Sequence, residues 1–227
     1  MNDQKISVAI DGPSGAGKST IARRIAKDFG FIYVDTGAIY RTVGLAVARR
    51  ELSPKEKDAV VSLLPDIRVT LGYGADGVQH MYLDGEDVSA HIRTPEISMF
   101  ASAVSAYPEV RAYLMEMQRS LARENDVVMD GRDIGTVVLP RAGLKIFLTA
   151  SSEERARRRF EELCAKGQDV EYATVLRELI ERDENDSNRA AAPLRAADDA
   201  LRLDTSAMDF EQSCQAVSRL IRERFGI

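Results

Sequence analysis

The feature that most constrains this chain is a glycine-rich loop that lies between a short apolar run and an amphipathic segment. Residues 12–19 read Gly-Pro-Ser-Gly-Ala-Gly-Lys-Ser, a full match to the GxxxxGKS/T pattern. The glycines let successive backbone N–H groups point inward and wrap a polyphosphate at the positive end of the following helix. We therefore predict a binding site for a nucleoside triphosphate. Its predicted residues are Gly12, Pro13, Ser14, Gly15, Ala16, Gly17, Lys18, Ser19 and Thr20.

The two flanks of the loop supply the structure that such a loop requires. Residues 6–10 are an apolar run with the length of a buried parallel strand. After the loop, Ile21, Ile25 and Phe29 recur at helical spacing, and Gly30 ends the pattern. The order of strand, loop and helix favours a phosphate-binding loop over a simple glycine-rich turn.

Two residues near the loop are candidates for a metal ion. Lys18 is predicted to reach the β- and γ-phosphates, and Ser19 to offer its hydroxyl to Mg²⁺. Asp130, which follows a later apolar run, would hold the ion through water, as a Walker-B acid does. A strand-end cap explains Asp130 equally well.

Apolar runs and helical segments alternate along the chain, which favours a parallel sheet with crossover helices on both faces. We predict an α/β fold of the P-loop NTPase type that forms one core over residues 1–227. The further predicted strands are residues 31–34, 127–129, 145–148 and 200–203.

Residues 66–94 depart from this alternation. Ile67, Val69 and Leu71 alternate with polar residues, and a turn-rich stretch leads to a second apolar run at 78–83. We predict a small antiparallel insertion. Ligands of open α/β sheets bind near the strand ends, so the insertion can contact substrate there, or it can be a flap without a role in binding.

A helical lid is predicted over about residues 153–189. It follows Ser151, which has capping-box spacing to Glu154. The arginines that share one helical face there are Arg155, Arg158 and Arg159. A cationic face beside a phosphate loop suits closure over a triphosphate, whereas a solvated face paired with glutamates is the alternative.

The composition bounds the class of protein. The 227 residues are 44% hydrophobic and 30% charged, with a net charge of −5 and a pI near 5.3. Such a chain can form a substantial core and has no basic field to attract nucleic acid or anionic membranes. The first five residues lack the basic and apolar regions of a signal peptide, and no run approaches a membrane span. We expect a soluble, cytoplasmic protein that binds neither nucleic acid polymers nor membranes.

The cysteines and histidines receive no chemical role. Cys164 and Cys214 are too few for a disulfide framework or a metal site, and both are expected to be small buried hydrophobic residues. His80 and His91 are not expected to bind a metal ion, because their spacing is not that of metal ligands.

Three polar clusters join arginine to small or acidic residues at the ends of predicted elements. They span residues 35–41, 130–136 and 182–189. The first two follow predicted strands, and the carboxyl ends of parallel strands are where open α/β sheets bind ligands. Arg41, Arg132 and Arg189 exceed what one triphosphate needs and predict bidentate clamps on a second phosphate.

These residue types suit phosphoryl transfer between two phosphates. The attacking phosphate oxygen is already an anion and needs no strong general base, so the protein must mainly neutralise charge and align the reactants. The chain offers arginines, a lysine and glycines where a hydrolase would offer a Ser/His/Asp set.

Together these motifs resemble those of bacterial cytidylate kinases, the nucleoside monophosphate kinases that act on CMP and dCMP. The resemblance runs nearly end to end and rests on residues 11–18, 35–41, 130–133, 145–148 with 151–155, and 182–189. Many NTPases share the phosphate loop, whereas the combination is far more specific. It implies reversible transfer of the ATP γ-phosphate to CMP or dCMP with Mg²⁺, by a monomer whose lid closes over both substrates.

The resemblance also implies roles for individual residues. The residues implied to bind CMP are Thr36, Arg41, Ser102, Arg111, Arg132, Asp133, Arg182, Asp186 and Arg189. The residues implied to be catalytic are Lys18, Arg132, Arg155, Arg159, Arg182 and Arg189. Within the first set, the three clamp arginines would hold the acceptor phosphate, and Arg182 and Asp186 would contact the ribose.

The cytosine would be read by Ser102, Arg111 and Asp133. A carboxylate suits the exocyclic amino group of cytosine, and an arginine suits its ring acceptors. A kinase for adenylate, uridylate or a non-nucleotide acceptor would keep the phosphate loop and differ at these three residues. A nucleotide-gated binding protein would need neither the arginine clamps nor a second pocket.

Overall fold

The computed structural model, which describes residues 5–227, contains a five-stranded parallel sheet with helices on both faces and a separate three-stranded antiparallel sheet. The strands are β1 (Ser7–Asp11), β2 (Ile32–Asp35), β3 (Val69–Tyr73), β4 (Gln79–Leu83), β5 (Glu86–Asp87), β6 (Val127–Gly131), β7 (Leu144–Thr149) and β8 (Leu201–Asp204). The predicted α/β fold class is confirmed.

The helices follow the predicted alternation with the strands of the parallel sheet. They are α1 (Lys18–Phe29), α2 (Thr36–Arg49), α3 (Lys57–Leu63), α4 (Pro95–Val104), α5 (Pro108–Glu124), α6 (Ser152–Ala165), α7 (Tyr172–Ser187) and α8 (Phe210–Phe225). Short 3-10 turns occur at Leu64–Asp66 and His91–Arg93, and a π-helical turn occurs at Ile134–Val138.

The order of the parallel strands, β2-β6-β1-β7-β8, places three aspartates at one edge of the sheet. Asp35 at the end of β2 lies opposite Asp130 of β6, and Asp11 at the end of β1 lies opposite Gly131. Parallel strands end on the same side, so this carboxyl edge is where a ligand of such a sheet would bind.

Each face of the sheet packs against its own apolar cluster. Along β1, Val8 and Ile10 belong to the cluster that includes α1 and α8, whereas Ala9 between them belongs to the cluster of α2, α4 and α5. Neighbouring side chains of a strand point to opposite faces, so a strand covered on both faces is apolar throughout. This is why β1 could be predicted from its composition.

The predicted insertion is the antiparallel sheet β3-β4-β5. Its first two strands pair with Tyr73 opposite Gln79, across a turn in which Gly77 has a φ of 73°. Met81 and Leu83 of β4 are buried in the cluster that also holds α2. The insertion is therefore packed against the core on the β2 side of the parallel sheet.

Three predictions of detail are wrong. Ser151 caps α6 by accepting from the backbone N–H of Glu154, but Glu154 pairs with arginines instead of completing a capping box. Cys164 is exposed, whereas Cys214 is buried as predicted. Helical spacing puts Phe210 on the same face of the last helix as Cys214 and Val217 and so predicts a core position, but Phe210 is 42% exposed because it occupies the first position of α8, ahead of the buried stripe.

No helix within residues 5–227 is both long enough and apolar enough to cross a membrane. Residues 1–4, on which part of the signal-peptide prediction rests, lie outside the described part of the chain.

Candidate active site

The phosphate-binding loop connects β1 to α1 and depends on glycine at positions that other residues would strain. Gly12 has a φ of 150°, and a Cβ there would lie 1.9 Å from the backbone oxygen of Leu148. Gly17 precedes α1 with a φ of 84°. The loop can therefore follow this path only because these positions lack side chains.

Lys18 begins α1 and folds back over the loop. Its side chain is buried, and its Nζ donates to the backbone oxygen of Pro13 over 2.6 Å. Burial, followed by the charge of Arg132, lowers the pKa of Lys18 well below its usual value. An anion bound in the loop would relieve both effects, because it restores a counter-charge to a desolvated ammonium group.

Asp130, at the end of β6, is held by three hydroxyl groups. Its carboxylate accepts from Ser19 Oγ and from the Tyr33 hydroxyl, each over 2.8 Å, and its backbone oxygen accepts from Thr36 Oγ1 over 2.7 Å. Burial and then the charge of Asp35 raise the pKa of Asp130. A divalent cation would favour the charged form of this carboxylate.

Ser19 and Asp130 together fit a magnesium site of the P-loop kind. They offer a hydroxyl and a carboxylate oxygen within 2.8 Å of each other at the start of α1. Mg²⁺ prefers oxygen ligands, and in phosphotransferases it keeps waters and takes further ligands from the substrate phosphates. Within residues 5–227 no cluster of three or more His, Cys, Asp and Glu side chains could hold a metal ion.

Asp11 supports the segment that carries Arg132 and Asp133. Its two carboxylate oxygens accept from the backbone N–H groups of Ile134 and Gly135, over 2.8 and 2.7 Å. Burial raises the pKa of Asp11 to about 6, and these two hydrogen bonds act in the opposite direction. The segment after β6 is thus fixed to the end of β1.

Asp186 of α7 forms ion pairs with two of the arginines that we predicted to clamp a second phosphate. It is 1% exposed and pairs with Arg132 Nε over 2.8 Å and with Arg189. Burial acts to raise its pKa, but the charges of Arg132 and Arg189 outweigh burial and hold the pKa below the usual value. Asp186, which we predicted to contact the ribose, holds two of the arginines that we predicted to bind the acceptor phosphate.

Arg182 lies one helical turn before Asp186 and faces the same cluster. Arg182 is exposed to solvent, and the protein around its guanidinium still desolvates the charge in part. This desolvation, followed by the charge of Arg132, lowers the pKa of Arg182 to about 10; Arg41 and Arg189 add to this effect. An anion in the cleft would neutralise these mutually repelling cations.

Arg41 approaches the cluster from α2. Its guanidinium donates to the carboxylate of Asp35 over 2.9 Å, and its Nε is buried without a hydrogen-bond partner among residues 5–227. Buried guanidinium N–H groups are costly to leave unpaired. Arg41 therefore has a donor available for a ligand.

The predicted base-reading residues meet beside this cluster. Arg111 of α5 is buried, pairs with Oδ2 of Asp133 and donates to the backbone oxygen of Ser105. Burial raises the pKa of Asp133, and the charge of Arg111 opposes that rise. Ser102 Oγ lies 3.4 Å from Arg189.

The predicted lid arginines do not form one cationic face in the structure. Arg155 is buried, donates to the backbone oxygen of Ser14 in the phosphate-binding loop and pairs with Asp183 of α7. Arg158 turns the other way, toward the backbone oxygen of Thr205. Arg159 is exposed and pairs with Glu162 of the same helix, so it does not reach the site in this structure.

Sequence reasoning missed three residues of the site. Tyr33 holds Asp130, Asp183 accepts from the backbone N–H of Ser14 over 3.3 Å, and the Gln79 side chain contacts the backbone of Asp35. Asp183 lies within a cluster that was noticed, and Tyr33 lies within a predicted strand. No local pattern marks Gln79, which is 44 residues from its partner.

The fold and the site together define a P-loop phosphotransferase of the nucleoside monophosphate kinase class. The family model described as Cytidylate kinase matches residues 8–223 of this chain. The chain belongs to the cytidylate kinase family.

Individual relatives agree with this assignment over nearly the whole chain. A cytidylate kinase of Caldicellulosiruptor bescii is 52% identical over 219 residues, which is 96% of each chain. A cytidylate kinase of Caldicellulosiruptor saccharolyticus is 48% identical over 223 residues, which is 98% of each chain. The solved structure of an uncharacterized protein from Eubacterium ventriosum covers 97% of this chain and all of its own, with a TM-score of 0.53 at 12% identity. That likeness concerns the fold alone.

Proposed function

We propose that this protein transfers the γ-phosphate of ATP reversibly to CMP or dCMP, giving ADP and CDP or dCDP, as a step in pyrimidine nucleotide metabolism. The observation that carries the proposal is the convergence of four arginines beside the phosphate-binding loop. They are Arg41, Arg132, Arg182 and Arg189. A single triphosphate in the loop does not require them, whereas a second phosphorylated substrate does.

The donor side is formed by the loop and the start of α1. Backbone N–H groups after Gly12 would bind the polyphosphate, with Lys18 neutralising charge on the transferred group. Mg²⁺ bound with ATP would neutralise the β- and γ-phosphates, and Ser19 and Asp130 are the residues that would hold it, Asp130 through water. Arg155, which already contacts the loop through Ser14, adds a further cation.

The acceptor side is partly arranged before substrate binds. Asp186 aligns Arg132 and Arg189, and Arg41 has an available Nε. These three arginines would bind the phosphate of CMP, while Arg182 lies between the acceptor and donor sides. Thr36, whose hydroxyl is fixed on Asp130, would lie against the nucleotide.

The chemistry then requires positioning more than proton transfer. An oxygen of the acceptor phosphate uses a lone pair to bond the γ-phosphorus, and the bond from that phosphorus to the β-phosphate oxygen breaks, leaving its electron pair on ADP. The arginines and Lys18 offset the negative charge of both phosphates, which would otherwise repel one another. No residue need remove a proton from the acceptor, since its phosphate is already an anion.

Discrimination between bases would come from Asp133 and Arg111. Arg111 occupies only Oδ2 of Asp133, which leaves Oδ1 for the exocyclic amino group of cytosine. Uracil presents a carbonyl at that place, opposite a buried acceptor. Each such mismatched contact disfavours UMP by about 1–3 kcal/mol.

The remaining parts of the proposal concern organisation. We propose that residues 1–227 form one catalytic unit that acts as a cytoplasmic monomer. The region from about residue 153 to 189, which contains α6 and α7, would be the lid. The insertion at about 66–94 would belong to the acceptor side.

The test is the release of ADP from ATP and Mg²⁺ by purified protein, with CMP, dCMP, UMP, AMP, GMP or no acceptor in parallel. Turnover confined largely to CMP and dCMP is expected. Arg41→Ala should raise the KM for CMP, whereas Arg157→Ala serves as a control because Arg157 is exposed and, among residues 5–227, its ion pairs are with Glu154 and Glu161 on α6. Preference for another monophosphate would contradict the proposed roles of Asp133 and Arg111 in base recognition. Turnover that does not depend on any acceptor would contradict the proposed kinase activity.

A further inference from the structure

The free edge of β2 is covered by side chains of the insertion. β2 is the outermost strand on its side of the parallel sheet, so its outward backbone groups have no neighbouring strand. Gln79 Oε1 accepts from the backbone N–H of Asp35 over 2.8 Å, and Gln79 Nε2 lies 3.3 Å from the backbone oxygen of Asp35. The Tyr73 hydroxyl donates to the backbone oxygen of Tyr33 over 3.0 Å.

The two contacts reach different parts of the site. Tyr73 and Gln79 are directly paired in the β3-β4 register, so one short segment of the insertion makes both. Tyr73 contacts the middle of β2. Gln79 contacts Asp35, the residue at which β2 ends and α2 begins.

Asp35 links that contact to the acceptor side. Its Oδ1 accepts from the backbone N–H of Ala38 and so caps α2, and its Oδ2 accepts from Arg41 over 2.9 Å. A rotation of the Asp35 backbone would move both carboxylate oxygens and with them the guanidinium of Arg41. The side-chain amide of Gln79 opposes such a rotation, because it engages the N–H and the C=O of the same residue.

The junction borders space that side chains do not fill. A cavity of about 580 Å³ lies between α1, the end of β2 and the insertion, and Gln79, Met81 and Asp35 are among its lining residues. Gln79 itself is 9% exposed. A buried amide with its hydrogen bonds made, next to unfilled space, can fix a backbone where side-chain packing does not.

We propose that Gln79 is a positioning residue for the acceptor phosphate, acting through Asp35 on Arg41. This rests on the proposed function, in which Arg41 binds the phosphate of CMP. The insertion is then more than a cover: it sets the geometry of one phosphate clamp. Within residues 5–227 the side chain of Gln79 bonds Asp35 and Met81 and makes no hydrogen bond to the phosphate-binding loop, so ATP binding should not depend on this contact.

The test measures KM for CMP and for ATP in the protein with Gln79→Met, which keeps the side chain's length and removes its two hydrogen bonds to Asp35, together with the contact to Met81 Sδ. We expect the KM for CMP to rise about fivefold to tenfold and the KM for ATP to change less than twofold. Tyr73→Phe is the matched control, because it removes the other edge contact of the same hairpin and leaves Asp35 alone. If Tyr73→Phe raises the KM for CMP as much as Gln79→Met does, the insertion acts only by its general docking and the proposal is wrong.

A double-mutant cycle separates this inference from the proposed function. Arg41→Met should raise the KM for CMP by at least as much as Gln79→Met, and adding Gln79→Met to it should have little further effect. A full, additive effect of Gln79→Met in the Arg41→Met background would overturn the route through Arg41 and leave the kinase assignment intact. Failure of Arg41→Met itself to raise the KM for CMP would show that the proposed acceptor site is wrong, and the role of Gln79 with it.

A measurement on the wild-type protein covers the case in which Gln79→Met does not fold. Amide hydrogen exchange should show protection of the Asp35 N–H, whose acceptor within residues 5–227 is Gln79 Oε1. CMP should shift the resonances of both the Asp35 amide and the Gln79 side-chain amide. Rapid exchange at Asp35, or shifts confined to the arginines, would contradict the proposal.

Discussion

At the residue scale, the buried pair of Arg111 and Asp133 serves stability and recognition together. Both side chains are less than a tenth exposed, and Arg111 also donates to the backbone oxygen of Ser105. Removing one member leaves a buried charge without its counter-charge. The same residues are those that we propose to read the base, so the recognition site carries a cost in stability if either is altered.

Replacing Arg111 with Met should lower the free energy of unfolding at pH 7 by about 3 kcal/mol, because Asp133 would remain buried and unpaired. Urea denaturation measures this. Arg123→Met on the same helix is the control, since Arg123 and Glu116 form an exposed pair and its loss should cost about 0.5 kcal/mol or less. Equal costs for the two variants would show that the buried pair contributes nothing beyond a surface pair.

The pH dependence of stability should report the role of Asp186. Its pKa in the folded protein lies below the usual 3.8, so its ionised form stabilises the fold above that pH. This contribution should disappear as the pH falls below about 4. We expect Asp186→Asn to be less stable than the wild type by about 3 kcal/mol at pH 7.

Thermal unfolding of both proteins between pH 3 and pH 7 tests this sign. The difference between wild type and Asp186→Asn should be constant near neutrality and become smaller toward pH 3. A difference that grows on acidification would mean that Asp186 is not held ionised by its arginines.

At the scale of elements, the glycine that begins the phosphate-binding loop and the glycine that ends α1 are needed for different reasons. Gly12 and Gly30 both have positive φ, but a Cβ on Gly12 would collide with the backbone of Leu148 in β7, whereas the space around Gly30 is open. One position is constrained by tertiary contact and the other only by backbone conformation.

Gly12→Ala should therefore displace the phosphate-binding loop and weaken ATP binding by at least about tenfold. Gly30→Ala should cost about 1 kcal/mol of stability, the ordinary cost of removing a glycine helix cap, and leave ATP affinity unchanged. Titration calorimetry with ATP and thermal unfolding separate the two effects. Normal ATP affinity in Gly12→Ala would contradict the assigned path of the loop.

Arg155 and Arg159 both lie on α6, but they have different surroundings in the structure. Arg155 is fixed between the phosphate-binding loop and α7, so Arg155→Ala should lower both stability and kcat/KM. Arg159 contributes to turnover only if the lid closes, because its present partner is an exposed glutamate. Arg159→Ala should then lower kcat by about tenfold or more with no change in melting temperature. A kcat equal to that of the Arg157→Ala control would remove Arg159 from the catalytic set.

At the scale of the whole molecule, the exposed large apolar side chains do not favour self-association. Tyr172 and Ile180 share α7, and the others lie on different segments of the chain: Val78, Met99, Tyr113, Leu201, Phe210 and Ile227. Stable dimers usually bury a contiguous apolar patch. We expect sedimentation to give the monomer mass of 25.1 kDa with and without nucleotides. A concentration-dependent dimer would contradict this expectation.

Several elements of the fold could be predicted because their signals are local. The phosphate-binding loop is one contiguous segment whose glycines, lysine and flanking strand and helix are neighbours in the chain. The runs Val8–Ile10 of β1 and Val127–Met129 of β6 are continuously apolar because both faces of these strands are covered, and this is visible in composition. The position of Asp35 and Asp130 at the same edge follows from the rule that parallel strands end together.

For other features, such as the contacts of individual arginines, the sequence provided only a set of candidate residues. The arginines of α6 could be placed on one helical face. In the structure, however, Arg155 contacts the phosphate-binding loop, and Arg159 is exposed and pairs with Glu162. Sequence periodicity gives the direction of a side chain around its own helix. Periodicity does not identify the groups on other elements that the side chain contacts.

The sequence by itself determined the α/β fold, the phosphate-binding loop and the family of this protein, because these depend on contiguous segments and on the period of apolar residues. Only the tertiary structure decided which charges meet. Arg132 and Asp186 are 54 residues apart, Arg111 and Asp133 are 22 apart, and Gln79 reaches Asp35 over 44. An ion pair or a side-chain amide has many possible partners of suitable charge and size in a chain that is 30% charged. The selection among them is made by packing, which brings a few together in a place where water cannot replace the lost contact.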